Sequence, residues 1–438
     1  MTTHPELACT KQTLANGLDV LVHEDHRVPQ VAVNIWYHVG SRNEVRGRTG
    51  FAHLFEHLMF EGSAHHNHGY FAPLQQAGGS VNGSTNTDRT NYWEVVPTSA
   101  LELALWMESD RMGHLLPAIT EERFTTQQAV VLNERRQNYE NRPYGLAVAA
   151  LNEALYPHDH PYGWMTIGDT ADIRAMELSE VQAFYTRYYH PANASLTLAG
   201  AITPSDAFAL AERYFGDLPP GPRVEPVHVP APRIAARRLV LEDRVELARV
   251  YMAWHTAAMF APGDAEMDLA ADVLANGKTS RLYKTLVFDR RLALDVSAYQ
   301  ASREMAGYAL IVATVAPGRA VSEVVAAIND AVAAVAAEGP AASDLERSAV
   351  QVESQFIYRL QTCGGFGGKS DQLNAYNVFT GDPGYFAADR ARYQGATVSS
   401  VRDAVAAYCQ PDRAITLTVV PKGQRSAALP DSEDVVVS

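Results

Sequence analysis

The chain has 438 residues, with 36 Lys and Arg against 50 Asp and Glu, a formal charge of −14. That balance excludes a long basic groove for nucleic acid. At 47% hydrophobic and 20% charged residues the chain reads as globular, with length for two or three domains.

No uninterrupted apolar run reaches the roughly 18 residues of a membrane helix, and the opening MTTHPELACTKQTLANG lacks the apolar stretch of a secretory leader. The expectation is a protein without membrane partners, cytoplasmic, or periplasmic if a leader has been removed. Cys9, Cys363 and Cys409 are far apart and form no CxxC pair, which argues against a disulfide framework and fits a reducing compartment.

In chain order, residues 18–22 and 31–37 alternate like strands, 51–60 carry apolar residues at helical spacing, 121–140 read as a helix, and 195–200 (SLTLAG) as a strand. Residues 218–233, LPPGPRVEPVHVPAPR, hold prolines every few positions and no periodic pattern, so they read as a linker. This divides the chain into a first domain 1–217, the linker 218–233 and a second domain 234–438. The second half echoes the first: strands at 238–242 and 248–254, a helix at 266–275, an Ala-rich packing helix at 321–337 and a closing strand at 414–420. A shift of 215 sets Asp268, Ala271 and Asp272 against His53, Glu56 and His57, as in a duplication in which one copy kept chemistry.

The informative segment is GFAHLFEHLMFEG, residues 50–62. On a helix His53 and His57 are one turn apart on one face, and Glu56 stays on that side. Two imidazoles so placed can grip one metal ion while the carboxylate reaches a water; this is the HxxEH order. Neutral imidazole suits zinc, and a catalytic zinc site takes three protein ligands with a position left for water. A solvated helix face can also carry two His and a Glu, but here the surrounding residues are apolar, where three ionisable groups are costly without a partner. The third ligand comes from elsewhere: the 121–140 helix offers Glu121, Glu134 and Glu140, and spacing alone does not choose among them.

The sequence resembles the pitrilysin and insulysin family of zinc peptidases, most of all its short members, the processing peptidases and their bacterial relatives. The matching text is GSRNE (40–44), GFAHLFEHLMFEG, GGSVNGSTNTDRTNYWEVV (78–96), VVLNE ending at Glu134, HPYGWMTIG (160–168) and YYHPANASLTLAG (188–200). The resemblance implies that His53, His57 and Glu134 bind Zn2+ and that Glu56 is the general base. It implies an α+β fold of two homologous α/β sandwich domains, each a mainly antiparallel sheet packed with helices, facing another such pair across a closed chamber. Asn82, Gly83, Ser84 and Thr85 fall where the family's edge strand binds peptide substrates by backbone pairing.

Two departures stand out. Gln127 occupies the place of a Glu that in relatives supports the zinc site from behind its ligands. Val287 and Leu294 occupy the places of the family's Arg and Tyr, which contact substrate and stabilise the tetrahedral intermediate. Neither can donate a hydrogen bond, and one such donor is worth on the order of a hundredfold in rate. The expectation is a zinc endopeptidase subunit that forms a heterodimer with a homologous, metal-free partner carrying the Arg/Tyr pair. The rival is a non-catalytic assembly subunit, like the family's core proteins of respiratory complexes.

Other signals are weaker. CGGFGGKS (363–370) and NGKTSRL from residue 276 lack the first glycine of a phosphate loop and read as a hinge or loop and as a turn. His65, His66 and His68 read as a polar loop, and His158 and His160 as part of a turn.

Overall fold

A computed structural model describes residues 6–437. It contains two six-stranded sheets. The first comprises β1 (Thr10–Thr13), β2 (Asp19–Glu24), β3 (Gln30–Tyr37), β4 (Ser80–Thr85), β5 (Thr90–Pro97) and β6 (Ala194–Gly200), in spatial order β1-β2-β6-β3-β5-β4. The second comprises β7 (Arg237–Asp243), β8 (Arg249–Thr256), β9 (Ala293–Ala301), β10 (Gly307–Val315), β11 (Ile415–Pro421) and β12 (Glu433–Asp434), in order β12-β7-β11-β8-β10-β9.

The two orders superimpose: β2, β6, β3, β5 and β4 correspond to β7, β11, β8, β10 and β9. Both sheets are mixed, with antiparallel pairs in the majority. The parallel pairs are β2 with β6 in one sheet, and β11 and β12 with β7 in the other. Only the outer strand breaks the repeat, since β1 runs antiparallel to β2. The expected pair of homologous α/β sandwiches is therefore the observed architecture.

Each sheet has its own helix with the same entry. The Phe51–Leu58 helix starts at Gly50 (φ 96°) and the Asp264–Ala275 helix at Gly263 (φ 95°), both in the left-handed region that favours glycine. The cap sets the phase of the turns that follow, and counted from the caps the repeat offset is 213. Glu266, Leu269 and Ala270, not the Asp268, Ala271 and Asp272 expected from a shift of 215, hold the positions of His53, Glu56 and His57.

Packing divides the chain into two compact units that are not contiguous segments. One holds the chain up to Asn133, Trp164–Val227 and Gln355–Ala388; the other holds Glu134–Gly163, His228–Ser354 and the chain from Asp389. Residues 218–233 form neither helix nor strand. In the first unit the late helix Lys369–Thr380 covers one face of the first sheet. Asn374 donates to the Asn34 carbonyl and accepts from Thr197, while Asp371 accepts from Trp36 and Asn91.

The glycine-rich segment before this helix packs backbone against strand: a Cβ on Gly364 would stand 2.4 Å from Val95 Cγ2 and 2.8 Å from Ala32 Cβ. The ammonium of buried Lys369 lies 2.6 Å from the half-buried Asp25, so its charge is committed within the fold. In the second unit the early helix Ala147–Leu155 supplies Ala147, Ala150, Leu151 and Leu155 to the core against Leu239, Tyr251, Leu310 and Leu417. Among the described residues no helix is long and apolar enough to cross a membrane.

Candidate metal centre

The Phe51–Leu58 helix is apolar on its buried side through Phe51, Ala52, Leu54, Phe55 and Leu58, leaving His53, Glu56 and His57 half-buried together. Its start is fixed from two directions. Gly50 packs against the chain of the HPYGWMTIG segment so closely that a Cβ on Gly168 would stand 2.5 Å from Gly50 Cα. The carboxylate of Glu44, in the GSRNE segment, accepts the N–H groups of Gly50 and Ala52. Three stretches that are separate in sequence thus meet at one helix end.

His53 and His57 sit with ring centroids 4.9 Å apart and planes at 78°. Glu134 stands on the last turn of the Glu121–Arg135 helix, whose earlier turns belong to the first unit. One ligand atom from each of His53, His57 and Glu134 lies within 4.8 Å of the others. Small side-chain rotations bring such atoms to the roughly 2.0–2.2 Å that zinc takes to imidazole nitrogen and carboxylate oxygen. Two nitrogens and one oxygen are a donor set zinc accepts.

Of the three carboxylates the sequence offered, Glu121 is exposed on the first turn and Glu140 pairs with Arg135. The helix is shorter than the expected 121–140, because the chain widens to π-helical turns over Arg136–Glu140, directly after Arg135.

Gln127, two turns before Glu134 on the same face, donates its Nε2 to Glu61 Oε1 at 2.6 Å. Glu61 is four residues beyond His57, so this bond joins the two helical segments one layer away from the trio. Among the described residues, this is the hydrogen bond that Gln127 makes through its side chain.

Asn82, Gly83, Ser84 and Thr85 lie in β4, the outermost strand, which pairs on one side with β5. Gly83 packs beside the end of the Phe51–Leu58 helix: a Cβ there would come within 3.0 Å of both Phe60 and Tyr92. Ser84 is braced by Asn91, which accepts its hydroxyl at 2.6 Å, and by Arg89, which donates to its carbonyl oxygen and to its hydroxyl. Burial lowers the Arg89 pKa, while the carboxylates of Asp371, Glu56 and Asp88 pull it back up, so Arg89 lies in the field of Glu56. Arg89 and Glu44 had no assigned role in the sequence, although both stand in the matching segments NTDRTNYW and GSRNE.

Val287 lies in the π-helical stretch Tyr283–Asp289, packed on the second core. Leu294 is the extra residue of a β-bulge, since Ala293 pairs with Val315 and Asp295 with Thr314, and it is 51% exposed.

Two family models match in succession: insulinase (peptidase family M16) over residues 19–163, and the peptidase M16 inactive domain over 175–351. The chain belongs to peptidase family M16. This M16 chain is 31% identical over 290 residues to the zinc protease PqqE of Helicobacter pylori, a match covering 64% of this chain and 64%, under two thirds, of that relative. It is 23% identical over 354 residues to a Bacillus subtilis protein named uncharacterized zinc protease YmxG, covering 80% of this chain and 84% of that one.

A crystal structure of a protease from Helicobacter pylori matches this M16 chain with a TM-score of 0.87 at 25% identity, over 94% of this chain and 100% of that one. A peptidase M16 inactive domain from Pseudomonas fluorescens shares the fold, with a TM-score of 0.84 at 20% identity over 95% and 98%. The first family model spans all four residues of the candidate centre, and the second spans Val287 and Leu294.

Proposed function

We propose that this chain is a zinc-dependent endopeptidase subunit that hydrolyses peptides or unstructured polypeptides. One observation carries the reading: His53, His57 and Glu134 present ligand atoms within 4.8 Å of one another, with Glu56 on the same helix face. Zinc held by this trio would polarise the scissile carbonyl and lower the pKa of a water toward about 7. Glu56 takes the proton of the attacking water and passes it to the departing amine. β4 offers N–H and C=O groups on its outer side to an extended substrate, with Arg89 and Asn91 holding Ser84 in place.

A homologous, metal-free partner supplies the Arg and Tyr whose places here hold Val287 and Leu294, and completes the enclosure around the substrate. Support comes from the side chains themselves, neither of which can donate a hydrogen bond to an oxyanion.

Glu56→Gln tests the base. With the partner present, the variant is expected to keep stoichiometric zinc and to lose peptide hydrolysis; retained turnover overturns the assignment. The rival reading, a structural subunit, predicts no chelator-sensitive cleavage of an unstructured peptide with or without the partner. Co-purification tests the pairing, and a homodimer with full activity and no second polypeptide refutes it.

A further inference from the structure

We propose that His65, Asp110 and His114 form a second binding site for a zinc-class transition-metal dication, separate from the His53, His57 and Glu134 trio, which clamps the loop after the metal helix onto the Leu101–His114 helix. One ligand atom from each of the three residues lies within 4.8 Å of the others. Asp110 and His114 are four residues apart on the Leu101–His114 helix and share a face. His65 comes from the loop that follows the Phe51–Leu58 helix, and its ring stands 4.9 Å from that of His114, at 82°.

The cluster is built by bonds that need no ion. Asp110 is buried, and its Oδ2 accepts the Ser63 hydroxyl and the His65 backbone N–H. The Ala64 N–H donates to the His114 carbonyl at 2.9 Å, tying the loop to the end of the helix. These bonds leave Asp110 Oδ1 facing His65 Nδ1 at 2.5 Å. An ion would take the place of the proton those two atoms share.

Both imidazoles are exposed, so an ion reaches them from solvent and keeps water in its remaining positions. Two imidazole nitrogens and one carboxylate oxygen favour zinc, copper or nickel over magnesium or calcium, which prefer oxygen alone. The polar loop read from the sequence thus has one member, His65, drawn to a helix 45 residues further along.

Equilibrium dialysis of the full chain against buffered Zn2+, followed by metal analysis, tests the site. Wild type is expected to bind a second equivalent that His65→Gln with His114→Gln abolishes, without change in peptide hydrolysis measured with the partner present. His57→Gln is expected to lose the first equivalent and keep the second, so failure of the catalytic reading and failure of this one give different patterns. In His57→Gln, zinc is expected to slow amide exchange across residues 62–69. A second equivalent that survives the His65/His114 double substitution, or that appears only at millimolar zinc as an adventitious ion, overturns the proposal. The exposed histidines are chosen because their substitution leaves the buried Asp110 network in place.

Discussion

Glu44 Oε1 accepts the backbone N–H of Ala52 at 2.8 Å, one residue before His53, while its other oxygen accepts that of Gly50 at 2.9 Å. These are among the N–H groups that a helix start leaves without an intrahelical partner. Burial pushes the Glu44 carboxyl up to about 8, and the two N–H groups work against that rise. Glu44→Ala is expected to lower stability by about 1–2 kcal/mol, the scale of a lost cap, and to weaken zinc binding by about tenfold or more through loosened ligand geometry. Urea unfolding of the metal-free protein and calorimetric zinc titration measure the two effects separately. Unchanged zinc affinity would mean that the helix holds its phase without the cap.

The Gln127 amide and the Glu61 carboxylate are 2.6 Å apart in a largely buried position, Gln127 being 8% exposed. Gln127→Glu replaces a donor with a second carboxylate at that contact. The expected loss is about 1–3 kcal/mol. Combining it with Glu61→Gln restores the donor–acceptor pair with the roles exchanged and is expected to recover most of the stability. If the double variant is no better than Gln127→Glu alone, the pair does not hold the two segments together.

Arg111 is buried at 0% exposure between the rings of Tyr70 and Tyr92, 4.0 and 4.2 Å from its guanidinium carbon. It donates to Glu108 and lies 3.5 Å from Glu94, both also fully buried. Burial pushes the Glu94 carboxyl well above the usual carboxylate range, with the Glu108 charge adding to the rise and Arg111 opposing it. Arg111→Met leaves buried acid without its cation and is expected to cost about 3–5 kcal/mol, read from urea unfolding at pH 8. A loss below about 1 kcal/mol would show that the buried glutamates do not depend on Arg111 for stability.

Asp268, in the second unit, accepts the Tyr393 hydroxyl at 2.6 Å. Burial raises its carboxyl from 3.8 to about 7, against the Tyr393 bond and with help from Asp264 and Asp272. Between those two values the unfolded chain has released the proton and the folded chain keeps it, so this residue's contribution to stability falls as pH rises through the window. Asp268→Asn removes the dependence. Its stability relative to wild type is expected to climb from pH 4 to pH 7 and level off above, as urea midpoints across that range would report. A constant difference would show that Asp268 titrates normally.

Strands β2, β3, β6, β7, β8 and β11 and the helices at 51, 121, 264 and 321 were legible in the sequence because each is set by local periodicity, two residues for the strands and 3.6 for the helices. β4 was indicated through the family resemblance, and β1, β5, β9, β10 and β12 were not read. The relation of His53, Glu56 and His57 was legible for the same reason, since one helical turn fixes it.

What tertiary structure alone decided is everything that joins distant residues by packing. Glu134 is chosen over Glu121 and Glu140 because the end of its helix comes to lie beside the histidines. The Ala147–Leu155 and Lys369–Thr380 helices are exchanged between the two units, although their own sequences specify no more than an amphipathic surface. Asp110 and His114 meet His65 only because a loop is bonded to a helix end. Spacing along a chain determines geometry over a turn or a strand pair; across tens of residues the closing contact depends on which buried faces fit, and no local pattern records that choice.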